Sequence, residues 1–196
     1  MEIKPVTLVG NDIRLEPLKM AHVQALFEAG RHPEIWTYMN IQMTNVEDMA
    51  VWVEEALTNQ AKGIDLPFVV INKKTEEILG STRFLDISIQ NKGLEIGWTW
   101  YTPRVWRTSI NTEAKYLLLK HCFETLKTIR VQFKTHHLNV ASQKAIQRIG
   151  GVKEGVLRNH RIQKDGTFRH SVYFSILDSE WETVKERFET TLLKRS

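Results

Sequence analysis

The stretch EIGWTWYTPRVWRTSINTEAKYLLLKHCFETLKTIRVQFKTHH, residues 95–137, predicts a strand, a long helix and a second strand. The middle of the stretch carries an apolar stripe at helical spacing, formed by Ile110, Ala114, Leu117, Leu118 and Cys122. Two strands joined by one crossover helix lie parallel in a sheet, with a right-handed connection. This unit therefore predicts that a mixed α/β fold surrounds one parallel strand pair.

The remaining strand signals indicate that the rest of the sheet is antiparallel. Residues 6–18 read as two short strands around a Gly-Asn-Asp turn. Three further β-rich segments, joined by short polar turns, span residues 67–73, 76–88 and 93–101. A hairpin around Lys164, Asp165 and Gly166 joins residues 152–162 to residues 168–177. We expect one largely antiparallel sheet.

Four more segments predict helices on the faces of this sheet. They span residues 19–30, 44–63, 139–151 and 179–194. The second is predicted to open with a capping box of Thr44 and Glu47, and the last with one of Ser179 and Glu182. Asn139 is the expected N-cap of the third. No linker or repeat divides the chain, so we predict a single domain over residues 1–196.

The composition is that of a globular protein, with 42% hydrophobic and 26% charged residues. Cys122 is the only cysteine, which excludes an intrachain disulfide and favours a reducing compartment. No signal peptide and no apolar run of membrane-spanning length is found, so we expect a cytoplasmic protein. A net charge of +4 suits an acidic ligand but is too small and too dispersed to indicate nucleic-acid binding.

The entrance to the long helix, RVWRTSINTEA at residues 104–114, is rich in positive charge and hydrogen-bond donors. Arg104 and Arg107 are accompanied by Thr108, Ser109, Asn111 and Thr112. The first turn of a helix also presents unpaired N–H groups and about half a positive charge. Such an end binds phosphate, whereas the alternative is an ordinary capped helix with solvated arginines.

Two segments resemble motifs of the GNAT N-acetyltransferase superfamily. Arg104-Val-Trp-Arg107-Thr-Ser109 lies in register with the pyrophosphate motif Q/R-x-x-G-x-G/A. The longer frame P-x-x-W-G-x-G-x-x-T-E-A, of the ribosomal-protein N-terminal acetyltransferase (Rim-type) branch, fits Pro103, Trp106, Thr112, Glu113 and Ala114. Residues 139–160 are similar to that branch's N-x-x-S…A-I-x-x-x-G-x-x-x-E-G-x-x-R segment. Both motif glycines are replaced here, by Arg107 and Ser109.

The resemblance implies an acetyl-CoA-dependent N-acetyltransferase acting on a primary amine, either a protein N-terminus or a small molecule. The pantetheine arm would enter a gap between two splayed parallel strands. The implied cofactor-binding residues are Thr99, Trp100, Tyr101, Arg104, Arg107, Thr108, Ser109, Ile110, Asn111, Thr112 and Asn139. A variant loop in which Arg107 itself reaches the pyrophosphate would replace the close backbone approach that glycine permits. A monomer or a homodimer fits this function, with no nucleic acid, membrane or metal involved.

Glu95 and Ser142 are the candidate catalytic residues. The resemblance places Glu95 on the strand before the cofactor loop, where apolar neighbours would raise its pKa and suit it to act as a base. The alternative is a structural glutamate, at a sheet edge or paired with Arg83 or Arg130. Ser142, in the N-x-x-S position, would protonate the departing thiolate, or would only belong to the helix cap.

Other residues have secondary places in this scheme. His136 and His137 are runner-up bases, predicted to face opposite sides of a strand and so not to bind one metal together. Trp36, Tyr38 and Met39 would form the acceptor wall, or would simply pack in the core. Two competing functions remain open: a non-catalytic acyl-CoA-binding or regulatory domain of the same fold, and, with little support, a nucleic-acid-binding module.

Overall fold

The computed structural model describes residues 1–194, with helices on both faces of an eight-stranded sheet. The strands are β1 Leu8–Val9, β2 Ile13–Pro17, β3 Leu66–Asn72, β4 Ile78–Ser88, β5 Gly93–Tyr101, β6 Arg130–His136, β7 Val152–Ile162 and β8 Phe168–Leu177. The helices are α1 Val23–Gly30, α2 Pro33–Trp36, α3 Val46–Ala61, α4 Ile110–Lys120, α5 Val140–Arg148 and α6 Trp181–Arg187. No helix in this part of the chain is long and apolar enough to cross a membrane.

Short turns of other helix types extend several of these helices. Turns of 3-10 helix span Met20–His22, Pro103–Val105 and Asp178–Glu180, and π-helical turns span His121–Thr125 and Phe188–Leu192. The predicted stripe on the central helix is confirmed, with Ile110, Ala114, Leu118 and Cys122 buried. Leu117 is partly buried against the same core. Burial raises the pKa of the Cys122 thiol, which makes this cysteine an inert core residue.

The strand order is β1-β2-β3-β4-β5-β6-β8-β7, and only β5 and β6 pair in parallel within the described residues. This confirms the predicted mixed fold with one parallel pair, since α4 carries the chain across the sheet between β5 and β6. The parallel pairing is short and runs from Gly93↔Arg130 to Glu95↔Gln132. Beyond that point the two strands continue apart.

A hydrophobic core lies on each face of the sheet. Phe68 and Val70 of β3 pack into the core beneath α4, whereas Val69 and Ile71 pack into the core beneath α1 and α3. Side chains alternate between the faces of a strand, so a strand covered on both sides becomes a continuous apolar run. The two cores hold β5 rigidly from both sides, and β5 carries Glu95.

Neither predicted capping box forms between the predicted residues. At α3 the box is formed by Asn45 and Asp48, because Asn45 Oδ1 accepts the N–H of Asp48 at 2.8 Å. At the last helix the N–H of Leu177 donates to Glu180 Oε2 at 2.8 Å, and the chain passes through a 3-10 turn before α6. Thr44 still contributes, since its hydroxyl lies 2.6 Å from Asp48 Oδ2.

Candidate active site

The site is built around the gap between β5 and β6. After Glu95 the outer edge of β5 pairs with β4, and that of β6 pairs with β8. Their inner edges face each other without a ladder up to Tyr101 and His136, the ends of the two strands. Backbone N–H and C=O groups left unpaired at such edges take up an extended polar chain.

A bulge in β5 lies beside this gap. Ser81 pairs with Trp100 and Arg83 with Gly97, so three residue steps of β5 oppose two of β4. Trp98 adopts a φ of 48°, in the left-handed region. A bulge turns peptide groups out of the ladder, which makes an N–H here available to a ligand. Across the bulge, a Cβ on Gly80 would lie 2.0 Å from the Trp100 carbonyl oxygen, so only glycine lets the strands approach this closely.

The side chains of Trp100 and Tyr101 belong to the two cores. Trp100 packs against Trp36 and Trp52, with ring centroids 5.1 and 6.2 Å away. Tyr101 is buried on the opposite face, and burial raises the pKa of its hydroxyl. These two residues can offer a ligand only their backbone. Trp36 is likewise a core residue, whose indole N–H donates to the Gly30 carbonyl at 2.7 Å.

Lys115 is a buried lysine that the sequence reasoning missed. Its Nζ lies 2.6 Å from Thr99 Oγ1, which in turn lies 2.8 Å from Thr82 Oγ1. It is 6% exposed, and burial lowers its pKa to about 7. The sequence did carry a signal, because Lys115 stands three and four residues before Leu118 and Leu119, on the buried face of α4.

Lys115 also reaches across the gap. Thr99 belongs to β5, and the Phe133 ring of β6 has its centroid 5.9 Å from Lys115 Nζ. Phe133 lies one residue beyond the last rung that joins the two strands. A chain that enters the gap from the α4 side therefore passes the lysine ammonium.

In the loop before α4, Arg107 adopts a backbone conformation that is typical of glycine. Arg107 has a φ of 62°, a conformation that side chains rarely adopt and glycine adopts readily. Arg107 forms no ion pair within residues 1–194, whereas Arg104 Nη1 donates to Glu77 Oε2 at 3.0 Å. Arg107 is therefore the available cation of the predicted pair, and Arg104 is already engaged on the surface.

The first turn of α4 leaves donors open. The helix begins with the Glu113 N–H donating to the Ser109 carbonyl at 2.8 Å, and Ser109 makes no side-chain cap. No hydrogen bond within the described residues reaches the N–H of Asn111 or Thr112. The Thr108 hydroxyl donates to the Val105 carbonyl at 2.7 Å. The side chain of Ile110 is buried, which leaves only its backbone for a ligand.

Arg148 is a second cation at this helix end that the sequence reasoning missed. Its Nη2 donates to Thr112 Oγ1 at 2.6 Å, which brings the end of α5 against the start of α4. The predicted donor Thr112 is thus the acceptor of an arginine. Together with Arg107, Arg148 supplies the positive charge that an anionic ligand at this helix end requires.

Glu95 lies at the apex of the gap and is 2% exposed. Gln132 Nε2 donates to its Oε2 at 2.9 Å, and Lys134 Nζ lies 3.1 Å from the same oxygen. Burial raises the pKa of Glu95, as expected, and the neighbouring Lys134 and Gln132 oppose that rise. Burial thus makes this carboxylate a better proton acceptor than an exposed glutamate.

The predicted alternative partners of Glu95 are wrong. Arg83 pairs with Asp65 at 3.3 Å and stacks over the Trp52 ring at 4.3 Å. Arg130 pairs with Glu154. The partner is instead Lys134, because it stands two residues from Gln132 on β6 and so shares its face.

The start of α5 follows directly on the far end of β6. Asn139 caps the helix as predicted, and its Oδ1 accepts the N–H of Ser142 at 3.0 Å. The Ser142 side chain is half-buried in the first turn of the helix. The structure thus places both residues beyond the open end of the gap, without showing a bond from the Ser142 hydroxyl.

The prediction that His136 and His137 face opposite sides is wrong. Their rings stack with centroids 4.6 Å apart, because β6 ends at His136 and His137 already belongs to a turn. The Tyr38 ring lies 5.4 Å from the His136 ring, which places Tyr38 beside the end of β6. No group of three or more metal-binding side chains occurs within residues 1–194.

The chain is similar to known acetyltransferases in sequence and in fold. The uncharacterised N-acetyltransferase p20 of Bacillus licheniformis is 27% identical over 89% of this chain and 98% of its own length. An acetyltransferase structure from T. thermophilus is 34% identical, with a TM-score of 0.86 over 96% of this chain and 98% of that chain.

A Rim-type relative shares the fold. Mycobacterium smegmatis RimJ, solved in complex with CoA-disulfide, has a TM-score of 0.77 at 21% identity, over 90% of this chain and 89% of that chain. The acetyltransferase (GNAT) domain family matches residues 12–152, which include the gap, Glu95, Lys115 and the α4 entrance. The chain belongs to the GNAT acetyltransferase family.

Proposed function

We propose that this protein transfers an acetyl group directly from acetyl-CoA to a primary amine. The observation that carries the proposal is the unpaired gap between β5 and β6, with the buried Glu95 carboxylate at its apex and the open first turn of α4 at its mouth. The first turn of α4 is suited to bind an anion, and the Glu95 carboxylate is suited to remove a proton. Holding the two reactants together supplies most of the rate enhancement.

Coenzyme A is bound along this axis. The pyrophosphate lies at the start of α4, on the free N–H groups of Asn111 and Thr112, with Arg107 and Arg148 as charged donors. The pantetheine arm pairs with the inner edge of β5 from Tyr101 back toward Thr99. Asn139 and Ser142 flank its other side. The complex of RimJ with CoA-disulfide supports this use of the fold.

The reaction is a single acyl transfer. The amine nitrogen attacks the thioester carbonyl carbon, and Glu95 accepts the proton that the amine loses. An N–H of the β5 bulge near Trp98 stabilises the developing oxyanion. The C–S bond then breaks with its electron pair on sulfur, and the thiolate takes a proton.

Two groups are proposed donors of that last proton. Ser142 lies at the start of α5, but a hydroxyl is a weak acid. Lys115 has a pKa of about 7 and lies within the gap, so its ammonium gives up a proton near neutral pH. We favour Lys115, and Ser142 then serves as a contact for the arm. Exchange with water then returns a proton to Lys115 and removes the proton from Glu95, which restores both groups for the next turnover.

The replaced loop glycines favour a second candidate, a non-catalytic acyl-CoA-binding domain. Two measurements separate the candidates: the melting temperature with coenzyme A, and thiol release from acetyl-CoA with a mixed panel of primary amines. The proposed enzyme shows both a rise in melting temperature and amine-dependent thiol release. A rise without thiol release indicates the binding domain, and no rise at millimolar coenzyme A contradicts both candidates.

A further inference from the structure

Positive charge is concentrated on the face of the sheet that carries Glu95. Lys134 lies 3.1 Å from Glu95, and its other acidic neighbour, Asp86, is 3.8 Å away. Burial lowers the pKa of Arg169, the charge of Arg161 adds to this, and the Glu95 carboxylate opposes it. Arg169 is thus near enough to Glu95 for their charges to interact.

The two arginines sit directly opposite each other. Arg161 of β7 and Arg169 of β8 are register partners, so their side chains share a face. Like charges at directly opposite positions destabilise an antiparallel pair. Within residues 1–194 neither arginine forms an ion pair, and the Arg169 Nε is buried without a hydrogen-bond partner. A buried donor that is left unpaired destabilises the fold.

Three other arginines of the sheet that are buried or partly buried are neutralised. Arg14 pairs with Glu16 and Glu76, Arg83 with Asp65, and Arg130 with Glu154. The partly buried Arg169 differs from these three in having no ion pair, whereas the exposed Arg158 of β7, also without an ion pair, lies in water. A fork of two adjacent guanidinium groups fits a carboxylate, which accepts several hydrogen bonds at once.

The fork is connected to Glu95 along one continuous face. Arg169 and Ser171 alternate onto the same side of β8, and Ser171 lies opposite His136 of β6. His136 and Lys134 share that side of β6, and Lys134 contacts Glu95. Lys134 pairs with Tyr173 of β8, which lies four residues after Arg169, or about 13 Å along the strand. The long arginine side chain can span part of this distance.

We propose that the acceptor amine carries a carboxylate a few bonds from the reacting nitrogen, and that Arg161 and Arg169 bind that carboxylate while Glu95 receives the amine. This inference rests on the proposed acetyl transfer and adds the substrate class. The carboxylate has two sources: the free carboxylate of an amino acid, or an acidic side chain at the second position of a peptide.

The test uses acceptor pairs that differ by one charge. One pair is an amino acid and its carboxyl amide, and the other is a peptide beginning Ser-Glu and its Ser-Gln counterpart. Thiol release gives kcat/KM for each acceptor with wild type, Arg169→Gln, Arg161→Gln and the distant surface control Arg187→Gln. Calorimetric titration of the same acceptors, with coenzyme A present, measures binding independently of turnover.

Wild type should prefer the acidic member of at least one pair by tenfold or more, and which pair shows the preference identifies the source. Arg169→Gln and Arg161→Gln should each reduce that ratio at least fivefold, and Arg187→Gln should leave it unchanged. If wild type uses and binds the acidic and neutral members of both pairs equally, the inferred acceptor class is overturned, while the proposed acetyl transfer is not. An equal loss on both members in the arginine variants also overturns the inferred acceptor class. Absence of thiol release with every acceptor contradicts the proposed transfer, while the binding ratios still decide the acceptor class.

Discussion

Arg107 holds a backbone conformation that glycine adopts most easily, at the position where related loops carry glycine. Its φ of 62° shows that the loop keeps its shape while it gains a guanidinium group. The left-handed conformation costs an ordinary residue about 1–2 kcal/mol. We propose that binding of the pyrophosphate by the guanidinium group offsets this cost.

The first prediction concerns this residue. Arg107→Ala should weaken coenzyme A binding by about 1.5–3 kcal/mol, the range for hydrogen bonds to charged groups. Arg107→Gly should bind better than the alanine variant, because glycine relieves the backbone and permits closer approach. Calorimetric titration at low and high salt measures both effects, and the loss should shrink at high salt. Wild-type affinity in both variants would return Arg107 to a solvated surface position.

Burial of Lys115 should lower the free energy of unfolding by an amount that depends on pH. Its pKa falls from 10.5 in the unfolded chain to about 7 in the fold, so between these values the unfolded chain binds the extra proton. Stability therefore rises with pH across that window, and the cost of Lys115 is largest below pH 7. Lys115→Met should stabilise the fold more at pH 6 than at pH 9, by about 3 kcal/mol.

Urea unfolding at the two pH values measures this difference. Lys120→Met, on the exposed side of the same helix, is the matched control and should show no such dependence. A Lys115→Met effect that is equal at pH 6 and pH 9 would mean that the lysine is not desolvated. If the variant is more stable but transfers acetyl groups slowly, the lysine is retained for function at the expense of the fold.

At the scale of elements, the close contact of β4 and β5 shapes the gap. A Cβ on Gly80 would meet the Trp100 carbonyl at 2.0 Å, so Gly80→Ala must move β5 at its bulge. We expect a loss of about 1–3 kcal/mol in unfolding free energy and weaker coenzyme A binding. Gly155→Ala in β7, where a Cβ meets nothing within 4 Å, is the control and should change neither. Equal behaviour of the two variants would contradict this account of the bulge.

Apart from the four-residue helix α2, which was not predicted, the helices and strands could be predicted from the sequence, but their exact ends could not. The apolar stripe of α4 and the hairpin turns indicated type and order correctly, since periodicity is a local property. The capping boxes were misplaced because several residues near each start can cap. Thr44 was paired with Glu47, whereas Asp48 accepts from both Thr44 and Asn45.

At the scale of the whole molecule, contacts between distant segments were the part that could not be predicted. Glu95 was proposed as the base from its position before the expected cofactor loop, yet its partner Lys134 depends on which residues of β5 and β6 are in register. Arg148 reaches Thr112 only because α5 packs against the entrance of α4. A family resemblance suggests where the site lies, and tertiary packing decides which charges surround that place.

The central claim is that Glu95 accepts the proton of the amine in the gap between β5 and β6. The most direct measurement is the rate of acetyl transfer by Glu95→Gln, at saturating acetyl-CoA and across pH, beside wild type. The account predicts a fall in kcat of roughly 10²-fold or more, with the KM for acetyl-CoA little changed. A near-normal rate at every pH would contradict it and remove Glu95 from the mechanism.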